Sequence, residues 1–251
     1  MYHGRRRIDL SKQDHIPLLI LVGRPGAGKS EVINYLKHEP EAQRRERFRI
    51  GPFLEVDDFP MLWTWFEEDQ ILSEMGHARL HSDEEGYFLH HDLWNLLIRR
   101  LELEYRKLLA DRPTLSESHT VIVEFSRGSE HGGFREAFKH FTRDFLKEAA
   151  VLYIDVSFEE SLRKNRRRFN PDKPHSILEH GLPDDKLERL YAKSDWAEFS
   201  SADPEFLLID GLRVPYAVFP NEDDVTTPGG DPLGNRLADC LGRLGEIRMR
   251  R

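Results

Sequence analysis

Cysteine is almost absent from this chain. Cys240 is its one occurrence in 251 residues, so neither an intramolecular disulfide nor a cysteine-based zinc site can form. Long uncharged apolar runs are missing too, which excludes a transmembrane helix by hydropathy. The first ten residues, MYHGRRRIDL, carry charge with no apolar stretch behind it and do not read as a secretory signal. No internal repeat or low-complexity tract occurs. Positive charge is in deficit: 37 Lys and Arg against 45 Asp and Glu leave a net −8, which speaks against a general nucleic-acid binder. Charged residues reach 33%, yet 15 Phe and 4 Trp are too many for a disordered chain. A cytoplasmic globular protein is expected.

What is present is an alternation. Short apolar runs at 17–23, 53–57, 121–125, 151–156 and 206–210 read as buried strands, with a further short one at 216–219. Helix-periodic stretches separate them, at 60–80, 88–111, 134–149, 158–169, 184–200 and 233–247. Strands alternating with helices predict a parallel sheet covered on both faces. The stretch between the second and third strands exceeds what one crossover helix needs. The expected organisation is therefore a single domain over 1–251. It comprises a polar arm at 1–16, a helical cap insertion at 60–118 and a lid at 160–180.

One motif stands out. Residues 23–30 read GRPGAGKS and fit G-x-x-x-x-G-K-[ST] at every fixed position, between a predicted strand and a predicted helix. A chance match is expected in about one chain in a hundred of this length. Gly23, Gly26 and Gly28 are expected to adopt backbone conformations closed to other residues, so that successive N–H groups face phosphate oxygens. The helix N-terminus adds partial positive charge. Lys29 is expected to carry a full charge to the β- and γ-phosphates, and Ser30 to offer a hydroxyl to Mg²⁺. The whole loop, Gly23, Arg24, Pro25, Gly26, Ala27, Gly28, Lys29 and Ser30, is the predicted nucleotide cradle.

With these residues the chain resembles the P-loop kinases of small molecules. The resemblance implies a three-layer P-loop NTPase fold, with five parallel strands in the order 2-3-1-4-5. It also implies ATP and Mg²⁺ as cofactors and a small-molecule acceptor, while the charge balance and the lack of long apolar runs speak against a nucleic-acid or membrane partner. Three further features carry it. The second strand ends in VDDF at 56–59, similar to the D-x-F element of uridine-kinase-like and chloramphenicol-phosphotransferase-like proteins. Asp57 matches the aspartate beside the acceptor hydroxyl and Asp58 the variable position after it. A carboxylate there accepts the hydroxyl proton and orients the nucleophile. The third strand runs VIVEFSRG, and Glu124 stands at a Walker B position. It is a candidate for holding Mg²⁺ through water or for acting as the base. Arg127 is a candidate clamp on the acceptor or the phosphoryl group, similar to the Glu-Arg pair of deoxyribonucleoside kinases but displaced by two residues. After the fourth strand, FEESLRKNRRRF at 158–169 resembles the helix that leads into an arginine-bearing lid. Arg163 and Arg167 would share one helix face and Lys164 and Arg168 the next, and an anion would relieve their repulsion.

Two other readings stay open. One is a P-loop NTPase that binds or hydrolyses nucleotide as a switch. The other is a kinase of antibiotics or nucleotide sugars, similar to the chloramphenicol and zeta-toxin groups. A Ras-type GTPase is disfavoured, because no NKxD string exists, and Glu124 is followed by Phe125 rather than by the second acid of an AAA motor. His77, His81, His90 and His91, with Asp83 and Asp92, have metal-ligand chemistry without a metalloprotease signature. Met61, Leu62, Trp63, Trp65 and Phe66 read as the core of the cap, with stacking on a planar acceptor as the alternative.

Overall fold

The computed structural model describes residues 15–168 and 182–250. Six strands form one sheet: β1 (Leu18–Gly23), β2 (Phe53–Asp57), β3 (Thr120–Phe125), β4 (Ala149–Asp155), β5 (Phe206–Ile209) and β6 (Leu212–Pro220). Their spatial order is β2-β3-β1-β4-β6-β5. The helices are α1 (Lys29–His38), α2 (Glu41–Phe48), α3 (Phe59–Glu74), α4 (Asp92–Asp111) and α5 (Leu115–Ser118). They continue with α6 (Gly133–Lys139), α7 (Arg143–Glu148), α8 (Phe158–Arg168), α9 (Asp184–Tyr191), α10 (Trp196–Ser200) and α11 (Gly230–Met249). Among the described residues no helix is long and apolar enough to cross a membrane.

The chain builds an α/β fold with a mostly parallel sheet. β1, β2, β3, β4 and β6 are mutually parallel, whereas β5 pairs antiparallel with β6. The expected five-stranded sheet thus becomes six-stranded. The run at 206–210, expected to be the fifth parallel strand, is instead the antiparallel edge, and the fifth parallel place goes to β6. The physical reason is the turn between them. Asp210 (φ 46°) and Gly211 (φ 73°) both lie in the left-handed region, the backbone of a two-residue hairpin loop. No crossover helix fits in two residues, so the strands must run antiparallel.

Burial on both faces explains the apolar strands. On one face Leu18, Ile20, Val22, Val123 and Tyr153 pack with Phe134, Phe138, Phe145 and Trp196. On the other, Leu19, Leu21, Ile122 and Leu152 pack with Val32, Leu36, Phe48, Leu237 and Leu244. Within the 60–118 stretch the two long helices differ. α4 buries Leu97, and packs Ile98, Leu101 and Tyr105 into the first of these cores. α3 buries Asp69 alone. That carboxylate, fully buried, accepts from the backbone N–H groups of Leu80, His81 and Ser82 and from Ser82 Oγ. Burial would push its pKa up, but these hydrogen bonds outweigh it and hold the group below its ordinary value. Asp69 thereby ties the loop after α3 back onto the helix.

Candidate active site

The parallel strands end on a common edge of the sheet, where ligands of open α/β folds bind. β1 delivers Gly23, β2 delivers Asp57, and β3, lying between them, delivers Glu124. Asp57 stands opposite Glu124 in the register of β2 and β3, and Leu21 stands opposite Glu124 in that of β1 and β3. The two carboxylates and the 23–30 loop therefore face one cleft of about 250 Å³.

The loop leads from strand to helix, as its position in the sequence predicts. Gly28 is the N-cap of α1 with φ 112°, and no side chain caps that helix end. A Cβ there would also come within 2.9 Å of Asn221 Nδ2. Gly26 lies at φ 72°. Gly23 departs from the expectation. It continues β1, and what requires glycine there is close approach: a Cβ would meet the Ile154 carbonyl at 2.8 Å.

The loop is held from behind. Asn221 Nδ2 donates to the Ala27 carbonyl at 2.7 Å and Ser161 Oγ to the Pro25 carbonyl at 2.7 Å. Arg24 points away from the cradle. Its guanidinium donates to the carbonyls of Val156, Tyr191 and Ala192 at 3.1–3.2 Å, locking the loop to the end of α9. Lys29 is buried. Its Nζ donates to Ser126 Oγ at 2.7 Å and to the Arg24 carbonyl at 3.2 Å, and lies 3.8 Å from Glu124 Oε1. Ser30, in the first turn of α1, is exposed on the cleft.

Asp57 is the electrostatically unusual residue. Its pKa is pushed up to about 7, first by its place at the cleft floor among protein atoms, then by the Glu124 and Asp58 carboxylates. The Phe59 N–H, 3.0 Å from Asp57 Oδ1, and the Lys29 ammonium oppose the rise. Water from the cleft reaches the Asp57 carboxylate. Asp58 turns the other way and is buried against Arg127, with Nη1 at 2.7 Å from Oδ2.

Arg127 occupies a different place from the one its chemistry suggested. It is 2% exposed and spends its guanidinium on Asp58, the Ser126 carbonyl and the Trp94 carbonyl, over the Trp94 and Phe125 rings. It braces the cleft wall.

The cations of α8 do find an anion, and it belongs to the protein. Asp224, in the loop after β6, takes Arg163 Nη2 and Lys164 Nζ each at 2.7 Å, with Arg167 Nη1 at 3.6 Å. Those contacts and Thr227 hold its carboxyl far below its ordinary pKa, overcoming a burial that raises it. Arg163 also pairs with Glu160. Lys164 is buried, whereas Arg163 and Arg167 remain about half exposed. The side chain of Arg168 and the expected lid tip at 170–176 lie outside the described residues, as do residues 1–14 of the N-terminal arm.

A second cavity, about 540 Å³, adjoins the cleft and shares Phe59, Leu62, Trp94, Leu182 and Tyr191 with it. The α3 aromatics read as cap core in the sequence are only partly buried, and Leu62, Trp63 and Phe66 line this cavity. Among the described residues no three of His, Cys, Asp and Glu converge on a metal position. His81 instead stacks on Trp65, and His91 Nε2 lies 3.1 Å from the Glu130 carbonyl.

The residues suit the predicted ligands. An uncapped helix end, the Lys29 ammonium and glycine backbone at positive φ suit phosphate. The carboxylates of Asp57 and Glu124, opposite each other in register on the cleft floor, suit an added cation beside Ser30.

No family model matches the chain, and no curated protein matches it. Among solved structures it is similar to an unliganded sugar kinase from Janibacter sp. HTCC2649, at 14% identity over 92% of this chain and 96% of that one, with a TM-score of 0.42. It is also similar to APE1195, at 15% identity over 94% and 98%, with a TM-score of 0.40. Likenesses this loose carry no argument about chemistry, so the functional reading rests on the cleft itself.

Proposed function

We propose that this chain is an ATP- and Mg²⁺-dependent phosphotransferase that phosphorylates a hydroxyl of a small molecule. The observation that carries this reading is the position of Asp57. Its carboxylate, in register with Glu124, stands on the floor of the cleft that the GRPGAGKS loop lines and that the aromatic cavity adjoins.

In this reading the 23–30 loop and α1 bind the triphosphate, and Lys29 stabilises charge on the moving phosphoryl group. Mg²⁺, when bound, neutralises phosphate charge, with Ser30 and Glu124 as the residues to hold it. Asp57 accepts the acceptor's hydroxyl proton as its oxygen bonds to the γ-phosphorus and the bond to the β-phosphate oxygen breaks, releasing ADP. Arg163 and Arg167 stay on the lid side and assist charge in transit. The 540 Å³ cavity favours an acceptor over the switch reading, because a switch needs no second pocket adjoining its nucleotide cleft.

The test is ADP release from ATP and Mg²⁺, with and without a panel of nucleosides, sugars and cofactor precursors. Acceptor-stimulated release, with phosphate recovered on the acceptor, is expected. Hydrolysis that no acceptor stimulates would favour the switch reading, and no nucleotide binding at all would sink both.

A further inference from the structure

The larger cavity is walled by rings. Trp63, Phe66, Phe88, Trp94 and Tyr191 line it. Its cations are already engaged by the protein. Arg79 donates to the Ser82 carbonyl and hydroxyl, and Lys186 and Arg189 lie over the Tyr87 ring at 4.9 and 4.2 Å from its centroid. Among the described lining residues none is arranged as a fork for a phosphate or carboxylate.

Among the described residues of the wall, His131 is the buried side chain with a polar atom left without a partner. His131 is 1% exposed, with its ring 3.8 Å from that of Trp94 and 4.9 Å from that of Tyr191, between centroids. Its Nδ1 lies 3.1 Å from the Gly128 N–H, which must donate to it. That contact leaves Nδ1 without a proton and assigns the proton of the neutral ring to Nε2. Burial, with Arg127 and His91 nearby, keeps the imidazole neutral. Nε2 therefore carries an N–H donor, and it has no partner. On the far side of the shared wall, Arg127 Nε is a second buried N–H without a partner. Buried donors are nearly always paired in folded proteins, so Nε2 calls for a partner that a molecule in the cavity lined by His131 would supply.

We infer that the aromatic cavity is the acceptor site and that it takes a flat aromatic or heteroaromatic alcohol. His131 Nε2 would donate to an acceptor atom on the ring edge and set specificity. This deepens the phosphotransferase reading, which supplies the word acceptor, but binding can be tested without ATP. A wall of rings favours a flat aromatic face, and among the described lining residues no guanidinium fork stands ready for an anionic group. A buried donor penalises a ring with nothing to offer it.

The probes are naphthalenemethanol, the isomeric quinolinemethanols, which add one ring nitrogen to the same shape, and glucose as a polyol without a flat face. Calorimetric titration of the whole protein should show saturable binding of the bicyclic alcohols and at least one quinolinemethanol about ten-fold tighter than naphthalenemethanol, with glucose far weaker. His131→Phe keeps a ring against Trp94 and should erase the preference for nitrogen while naphthalenemethanol binds as before. Should that variant unfold, the comparison of ligands on the unaltered protein still decides. Glucose binding as well as the bicyclic alcohols, no quinolinemethanol exceeding naphthalenemethanol, or a folded His131→Phe that keeps the preference would each overturn the assignment. Binding as expected without ADP release would leave this site standing and count against the phosphotransferase reading alone.

Discussion

Asp57 and Glu124 end neighbouring parallel strands in register, so two carboxylates share one cleft floor with the ammonium of Lys29 beside them. Like charges held this close cannot both be comfortable without an added cation. Burial at the cleft floor first, and then the neighbouring carboxylates, raise the pKa of Asp57 to about 7.

That shift predicts opposite effects on activity and stability. An acid whose folded pKa lies above its unfolded one binds more protons when folded, so its contribution to stability falls as pH rises from about 4 to 7 and is flat above that. Asp57→Asn should therefore raise the melting temperature at pH 8 by roughly 2–4 °C relative to the parent, with little gain at pH 4. Solvent reaching the carboxylate limits the gain. The same variant should lose most of its kcat, and the acidic limb of kcat/KM near pH 7 should vanish with it. Unchanged melting at both pH values would mean that Asp57 is not crowded by its neighbours.

Lys29→Ala should reduce turnover on the order of 10²–10³-fold, because charge on the phosphoryl group loses its nearest ammonium. Lys29 is buried and hydrogen-bonded to Ser126, so a modest fall in melting temperature is expected as well. A folded variant with full activity would remove the kinase reading.

Arg127 and Asp58 should behave as a structural pair. Arg127→Met leaves a buried carboxylate without its partner, which typically costs about 3–5 kcal/mol. The double change Arg127→Met with Asp58→Asn should restore much of that in urea unfolding. If the single change is harmless to stability yet abolishes turnover, Arg127 contacts substrate after all.

On α8 the buried and exposed cations should separate. Asp224→Ala strips Lys164 of its carboxylate partner and should destabilise the fold markedly. Because the pKa of Asp224 is depressed, its contribution is fully present above the unfolded value near 4 and is lost as pH falls through the lower folded value. The gap in melting temperature between parent and Asp224→Ala should therefore close in strong acid. Arg167→Ala, at a half-exposed position, should stay within about 0.5 kcal/mol of the parent. It should lower kcat more than nucleotide affinity if it meets charge in transit. An equal effect on both would mark it as part of a solvated charged face.

The amino-acid sequence alone determined the features that depend on neighbours along the chain. GRPGAGKS between an apolar run and an amphipathic one places a loop at a helix N-terminus, since strand, glycine turn and helix are all local preferences. The same holds for Asp57 and Glu124 as strand-end acids. Strand alternation predicts a further parallel strand at 206–210, whereas the antiparallel pairing of β5 with β6 through the Asp210-Gly211 turn appears only in the packed sheet. What only the tertiary structure decided are pairings between residues far apart. Asp58 meets Arg127, and Asp224 meets Arg163 and Lys164, across more than sixty residues in the first case and about sixty in the second. Whether a charged side chain faces ligand or protein depends on such partners, and no spacing rule reveals them. Arg24 lies inside the motif yet binds the end of α9, and His131 lies outside every motif yet holds an unpaired donor in the cavity wall. Burial and hydrogen-bond satisfaction are properties of the packed sheet and helices, because they are fixed only when elements distant in sequence close on one another.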